Sequence, residues 1–244
     1  MRGLKIGPLG GSTGSPVESI RRGQMENDIS RITCPLCSAD HVLPLHVDKW
    51  REYVRCVACQ LTFVPSVFHL TPSDEKAVYD LHQNSPSDHR YRNFLSRLFE
   101  PVHGRIAAGS HGLDFGSGPG PTLSVMFEEA GHHMAIYDPY YAPETAPLTL
   151  QYDFVTASEV VEHFCNPGEE LCRLWSYLKP GGLLGIMTKL VLDREAFADW
   201  HYKNDRTHVS FFSRETFAWL AEDWNAELVF VGDDVMLLRH RADV

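Results

Sequence analysis

No stretch of this chain is apolar for long enough to cross a bilayer. It also lacks the apolar core of a secretion signal. Residues 10–22 read Gly-Gly-Ser-Thr-Gly-Ser-Pro-Val-Glu-Ser-Ile-Arg-Arg, so a cytoplasmic location is expected. Positive charge is scarce: 22 Lys and Arg stand against 32 Asp and Glu, for a formal net charge of −10. Broad nucleic-acid binding needs a basic face, so nucleic acid is disfavoured as a partner, although a local basic patch is not excluded. Cysteine is sparse too, and the six present are unevenly placed. Residues 1–30 have little to bury and are expected to be a disordered tail. Met25 opens a more ordinary beginning, so the residues before it read as a dispensable tail or a mis-assigned start.

What is present fills 244 residues with 43% hydrophobic content, room for one α/β domain plus a small module. Residues 113–120 read Leu-Asp-Phe-Gly-Ser-Gly-Pro-Gly, a strand end running into a glycine-rich turn, and Asp138 ends the apolar run Met134–Tyr137 about twenty residues later. Gly116, Ser117, Gly118 and Gly120 let the backbone approach a ligand, and Asp138 stands where a ribose diol is gripped. The spacing lacks the third glycine of a dinucleotide fingerprint, since Pro121 occupies that place. Asp114 would repel a pyrophosphate but suits an ammonium group. S-adenosylmethionine carries an amino-acid tail, a ribose and no phosphate.

On the stretch Leu113–Gly120 and on Asp138 the chain resembles the class I S-adenosylmethionine-dependent methyltransferases. Ser158-Glu-Val-Val-Glu-His-Phe164 is similar to their fourth motif, where a strand ends beside the methyl group. The resemblance covers about residues 75–240. It implies a Rossmann-like seven-stranded sheet, with Ser158, Glu159 and Pro139 added to the cofactor-binding set. Strands are expected at 111–115, 132–138, 153–158 and 183–188, with a closing hairpin around Gly232-Asp233-Asp234. Asn166-Pro167-Gly168-Glu169 reads as a capped helix start. Only fourteen residues separate Asp138 from Asp153, too few for a full third strand and its helix; Leu148–Leu150 is expected as a stub of it. The acid that usually holds the adenine amine has no match, which leaves Pro139, Tyr140 or Tyr141 as candidates.

Four cysteines form Cys34-Pro-Leu-Cys37 and Cys56-Val-Ala-Cys59, a C-x2-C-x18-C-x2-C spacing. Two such knuckles complete a tetrahedral all-thiolate site, which points to structural zinc in a module at 31–70, ahead of a methyltransferase domain at 71–244. Cys165 and Cys172 stand apart and read as packed thiols. The ribbon resembles one found ahead of certain sugar C-methyltransferases.

Trp200-His-Tyr-Lys-Asn-Asp205-Arg-Thr-His208 follows the fifth expected strand, on the acceptor side of such a sheet. His208 is the candidate proton acceptor and Asp205 its orienting partner, against the alternative that His208 packs under the next helix. The expected reaction is methyl transfer to a small-molecule acceptor, such as a biosynthetic intermediate or a nucleotide-linked sugar. An RNA base methyltransferase, or a non-catalytic module on a degenerate fold, are the alternatives.

Overall fold

The computed structural model describes residues 32–81 and 84–241. The expected tail at 1–30 lies outside the described residues. Among the described residues ten strands form two sheets. The larger has six, in the order β5-β4-β6-β7-β10-β9, where β4 is His111–Phe115, β5 His133–Tyr137, β6 Tyr152–Ser158, β7 Leu178–Met187, β9 Ala226–Val231 and β10 Val235–His240. β4 to β7 run parallel, and β9 and β10 close the sheet as an antiparallel hairpin.

Side-chain alternation along the strands explains why both faces are covered. Phe154, Leu183 and Leu237 point to one face, their neighbours Val155, Leu184 and Leu238 to the other. The first face takes α2 (His89–His103), through Leu95, Leu98 and Val102, and α3 (Thr122–Glu129), through Leu123 and Phe127. The second takes α4 (Pro167–Ser176), through Leu171 and Leu174, and α6 (Arg214–Asp223), through Phe217 and Leu220. Two further helices, α1 (Pro72–Tyr79) and α5 (Arg194–Asp199), lie outside these layers.

The sheet has six strands where the resemblance implies seven. The expected stub at 148–150 is not a strand: Ala146–Thr149 forms a 3-10 turn, and Asp138 and Ala142 make an isolated bridge. Pro139, Pro143 and Pro147 recur every fourth residue here and have no N–H to give to a ladder. β7 also begins earlier than expected, because Leu178 pairs with Tyr152 before Lys179–Gly182 bulge out and pairing resumes at Phe154 and Leu183.

The smaller sheet crosses the boundary expected near residue 70. Its order is β1-β2-β3-β8, with β1 at Val42–Val47, β2 at Glu52–Cys56, β3 at Thr62–Phe63 and β8 at Ser210–Phe211. β8 comes from the loop after β7 and pairs with β3 through Thr62–Phe211 and Phe63–Ser210. Tyr53, Val64, Phe197, Val209 and Phe211 bury a shared apolar cluster. The first knuckle also docks on α4: Gly168 N–H donates to Pro35 O at 3.1 Å, and a Cβ on Gly168 would lie 2.6 Å from Leu36 O. The side chain of Asn166 makes no capping hydrogen bond, contrary to the sequence expectation.

Candidate functional site

A cavity of about 710 Å³ lies across the carboxyl ends of β5, β4 and β6, the place where open α/β sheets bind ligands. The glycine turn at the end of β4 forms part of its wall through Gly116, Ser117, Gly118 and Pro119. Gly116 has φ +74°, and a Cβ there would lie 2.4 Å from Val160 Cγ2, so glycine is required on steric grounds. Gly120 meets the chain rather than the cavity, since its Cβ would fall 2.1 Å from Asn84 O. Ser117 Oγ is buried without a hydrogen-bond partner, a polar atom suited to a bound ligand.

Asp138 follows β5 and lines the cavity. Its Oδ2 accepts from Gly118 N–H at 2.9 Å, and its Oδ1 accepts from the N–H groups of Tyr140 (2.8 Å) and Tyr141 (3.0 Å). A carboxylate offers about four lone-pair sites, so one remains for a ligand hydroxyl. Asp114 does not line the cavity. It is buried beneath the turn, accepts from Thr156 Oγ1 at 2.9 Å, and burial pushes its carboxyl up to about 7. Its expected contact with an ammonium group is therefore not direct.

Helix α1 roofs the cavity. Tyr140 OH donates to Glu75 Oε2 at 2.9 Å and Tyr141 OH to Asp80 Oδ1 at 2.8 Å, tying the segment after Asp138 to the helix and the residue that ends it. Pro139, Tyr140 and Tyr141 all line the cavity, along with Tyr137, Leu148 and Tyr177. Apolar surface for a flat ring is thus available without an acid after a third strand.

At the end of β6, Ser158 and Glu159 face the cavity, and Glu159 holds φ +54°, a costly conformation for a residue with a side chain. Glu162 lies on the next turn and is fully buried. Its Oε1 accepts from Tyr202 OH at 2.5 Å and its Oε2 from Thr188 Oγ1 at 2.9 Å. Tyr202 OH also lies 3.4 Å from Glu159 Oε2. Burial pushes Glu159 up to about 8, with the charge of Glu162 adding to it; burial pushes Glu162 up to about 7 against its hydroxyl partners.

His208 and Asp205 both line the cavity, but Asp205 is not the group that orients the ring. The His208 Nδ1–H donates to Tyr202 O at 2.8 Å, so a backbone carbonyl fixes the ring. Asp205 stands 3.8 Å from the opposite nitrogen, Nε2, and accepts instead from Thr207 N–H and Oγ1. Burial, then the neighbouring His163, lowers His208 to about 3, so the imidazole is neutral with its Nε2 not engaged by the carbonyl. The His163 ring lies 4.7 Å from that of His208, and its Nδ1 is 3.2 Å from Thr207 O.

The ribbon holds this loop from behind. Arg51 is buried, and its guanidinium donates to the carbonyls of Lys203 (2.7 Å), Asp205 (2.8 Å) and Arg206 (3.0 Å) and to Tyr53 OH (2.9 Å). Nothing in the local sequence around Arg51 signals that role. Glu162 falls within the motif at Ser158–Phe164, but its partnership with Thr188 escapes motif reading because the two lie 26 residues apart.

Cys34, Cys37, Cys56 and Cys59 converge as expected. Cys34 Sγ and Cys59 Sγ are 3.5 Å apart, as are those of Cys37 and Cys56, and all six cysteines are free thiols. A tetrahedral ion with metal–sulfur bonds of about 2.3 Å sets its sulfurs roughly 3.8 Å apart, so the cluster fits zinc closely. Cys165 and Cys172 are exposed rather than packed, and Cys165 lines the cavity.

A family model described as "Methyltransferase domain" matches residues 84–231. No curated protein matches the chain. Solved structures similar to it include 1,6-didemethyltoxoflavin-N1-methyltransferase of Burkholderia thailandensis, with 1,6-didemethyltoxoflavin and S-adenosylhomocysteine bound. The likeness has TM-score 0.47 and 18% identity, covering 82% of this chain and 99% of that one. An O-methyltransferase family protein of Burkholderia thailandensis is similar at TM-score 0.47 and 13% identity, covering 69% and 60%. A SAM-dependent methyltransferase of Aquifex aeolicus is similar at 0.43 and 17%, covering 70% and 97%.

Proposed function

Since the chain belongs to the methyltransferase-domain family, we propose that it transfers the methyl group of S-adenosylmethionine to a small-molecule acceptor. The observation that carries this reading is the shape of one cavity. It runs from the glycine turn and Asp138 to a cluster of buried acids and imidazoles, within a volume that suits a cofactor and a small partner together.

When bound, the cofactor supplies an electrophilic methyl on sulfur. The protein's task is placement and exclusion of water. Gly116, Ser117 and Gly118 provide the close backbone and the unpaired hydroxyl, and Asp138 keeps an oxygen lone pair for the ribose. The apolar surface of Tyr137, Pro139 and Leu148 receives the adenine. α1, pinned through Tyr140 and Tyr141, covers them. Glu159 and Glu162, linked by Tyr202 OH, bound the acceptor end. His208 shapes that end as a neutral ring.

The net charge of −10 does not favour a nucleic-acid acceptor. Among the described residues no helix is long and apolar enough to cross a membrane. Retention of the glycine turn and the Asp138 cradle speaks against a degenerate, non-catalytic fold.

Calorimetric titration with S-adenosylmethionine and S-adenosylhomocysteine, with NAD as control, tests the reading. Micromolar binding of the first two and none of NAD is expected. Absence of binding by both sulfur compounds would refute it.

A further inference from the structure

We propose that Glu162, His163 and His208 form a second metal site, distinct from the four cysteines, that holds a divalent cation at the acceptor end of the cavity. One ligand atom from each of the three lies within 4.8 Å of the others. Three ligands at about 2.1 Å from one ion, evenly spread around it, stand at most about 3.6 Å apart, so side-chain movements of up to about an ångström close the set.

The hydrogen bonds around these residues are those that a ligand set requires. The His208 Nδ1–H is given to Tyr202 O at 2.8 Å, and His163 Nδ1 lies 3.2 Å from Thr207 O. Backbone carbonyls thus fix both tautomers and leave the Nε2 lone pairs as donors, an arrangement that orients metal-bound imidazoles. Glu162 is held at both oxygens, by Tyr202 OH and Thr188 Oγ1, and each oxygen keeps a second lone pair. Glu162, His163 and His208 all line the cavity, so the open coordination positions face the ligand space. Asp205, 3.8 Å from His208 Nε2, adds negative charge nearby.

Packing alone also places polar groups together, but it does not call for two imidazoles and a buried carboxylate to converge on a cavity wall with their outer atoms already engaged. Two nitrogens and a carboxylate, with no sulfur, suit manganese, iron, cobalt or zinc rather than a soft ion. The remaining positions would take water or an oxygen of the acceptor. Use of the ion in catalysis rests on the methyltransferase reading; its binding does not.

The test is electron paramagnetic resonance of zinc-replete protein titrated with Mn²⁺, which disfavours thiolates. One Mn²⁺ per chain is expected, with nitrogen couplings from two imidazoles in the pulsed spectrum. Affinity should fall at least tenfold in His208→Asn and in Glu162→Gln, while both keep a native circular dichroism spectrum and the zinc of the four cysteines as checks on folding. No Mn²⁺ bound at millimolar concentration, no nitrogen coupling, or undiminished binding in both variants would overturn the proposal. Mn²⁺ binding without cofactor binding would leave the site standing and remove the proposed function.

Discussion

Arg51→Met keeps the bulk of a long side chain and removes the guanidinium that ties ribbon to loop. The wild-type group is 3% exposed and serves three backbone carbonyls between Lys203 and Arg206. A hydrogen bond from a charged donor contributes about 1.5–3 kcal/mol, and each carbonyl left buried without a donor is costly. These contributions overlap because the loop moves as one piece. A loss of about 3 kcal/mol in loop docking is therefore a restrained figure, equivalent to roughly 100-fold in the opening equilibrium. Amide hydrogen exchange reads it directly. The Thr207 and Val209 amides, bonded to Asp205 Oδ1 and Glu162 O, should exchange about 100-fold faster. Those of β4 should not change. Unaltered exchange at Thr207–Val209 would refute the clamp, and an equal acceleration in β4 would place the loss in the whole fold instead.

Asp138→Ala should abolish S-adenosylmethionine binding in calorimetry while circular dichroism stays native; unchanged affinity would remove Asp138 from the cofactor site. Cys59→Ser should release the thiolate-bound zinc, with zinc content falling by one ion per chain and a lower melting temperature, because metal and ribbon fold together. Metal retained at full stoichiometry would dismiss the thiolate site. Asp114, raised from 3.8 to about 7 by burial, keeps its proton longer in the folded state than in the unfolded. It therefore favours folding below pH 4, and that contribution is lost as pH rises towards and through 7. Asp114→Asn should flatten this fall in stability between pH 4 and 7 in urea titrations, and an identical pH slope in the variant would contradict it.

The parallel strands and the cofactor turn were legible because each is local: apolar runs, glycines at fixed offsets and an acid at the end of β5. The cysteine spacing was legible for the same reason. The missing third strand could be read only as a shortage of residues. Its replacement by a 3-10 turn depends on prolines that withhold ladder donors over 139–147. The acceptor end was harder. Tyr202 meets Glu162 across forty residues and Arg51 meets the 203–206 carbonyls across about 150, so no window of sequence contains either partnership. His208 illustrates the cost: its spacing from Asp205 suggests an orienting carboxylate, but the carbonyl of Tyr202 fixes the ring instead.

The β3–β8 pairing has a consequence for inheritance. The stretch that matches the family model starts at residue 84, downstream of every ribbon strand, yet the sheet of β1 to β3 is completed by Ser210–Phe211 from within that stretch. A recombination event that carried residues 84–231 into another gene would bring a strand stripped of its neighbour and a loop whose carbonyls had lost their arginine. Ribbon and family-matched stretch are thus one structural unit, and a replacement ribbon would need both a strand to pair with Ser210–Phe211 and a donor for the 203–206 carbonyls.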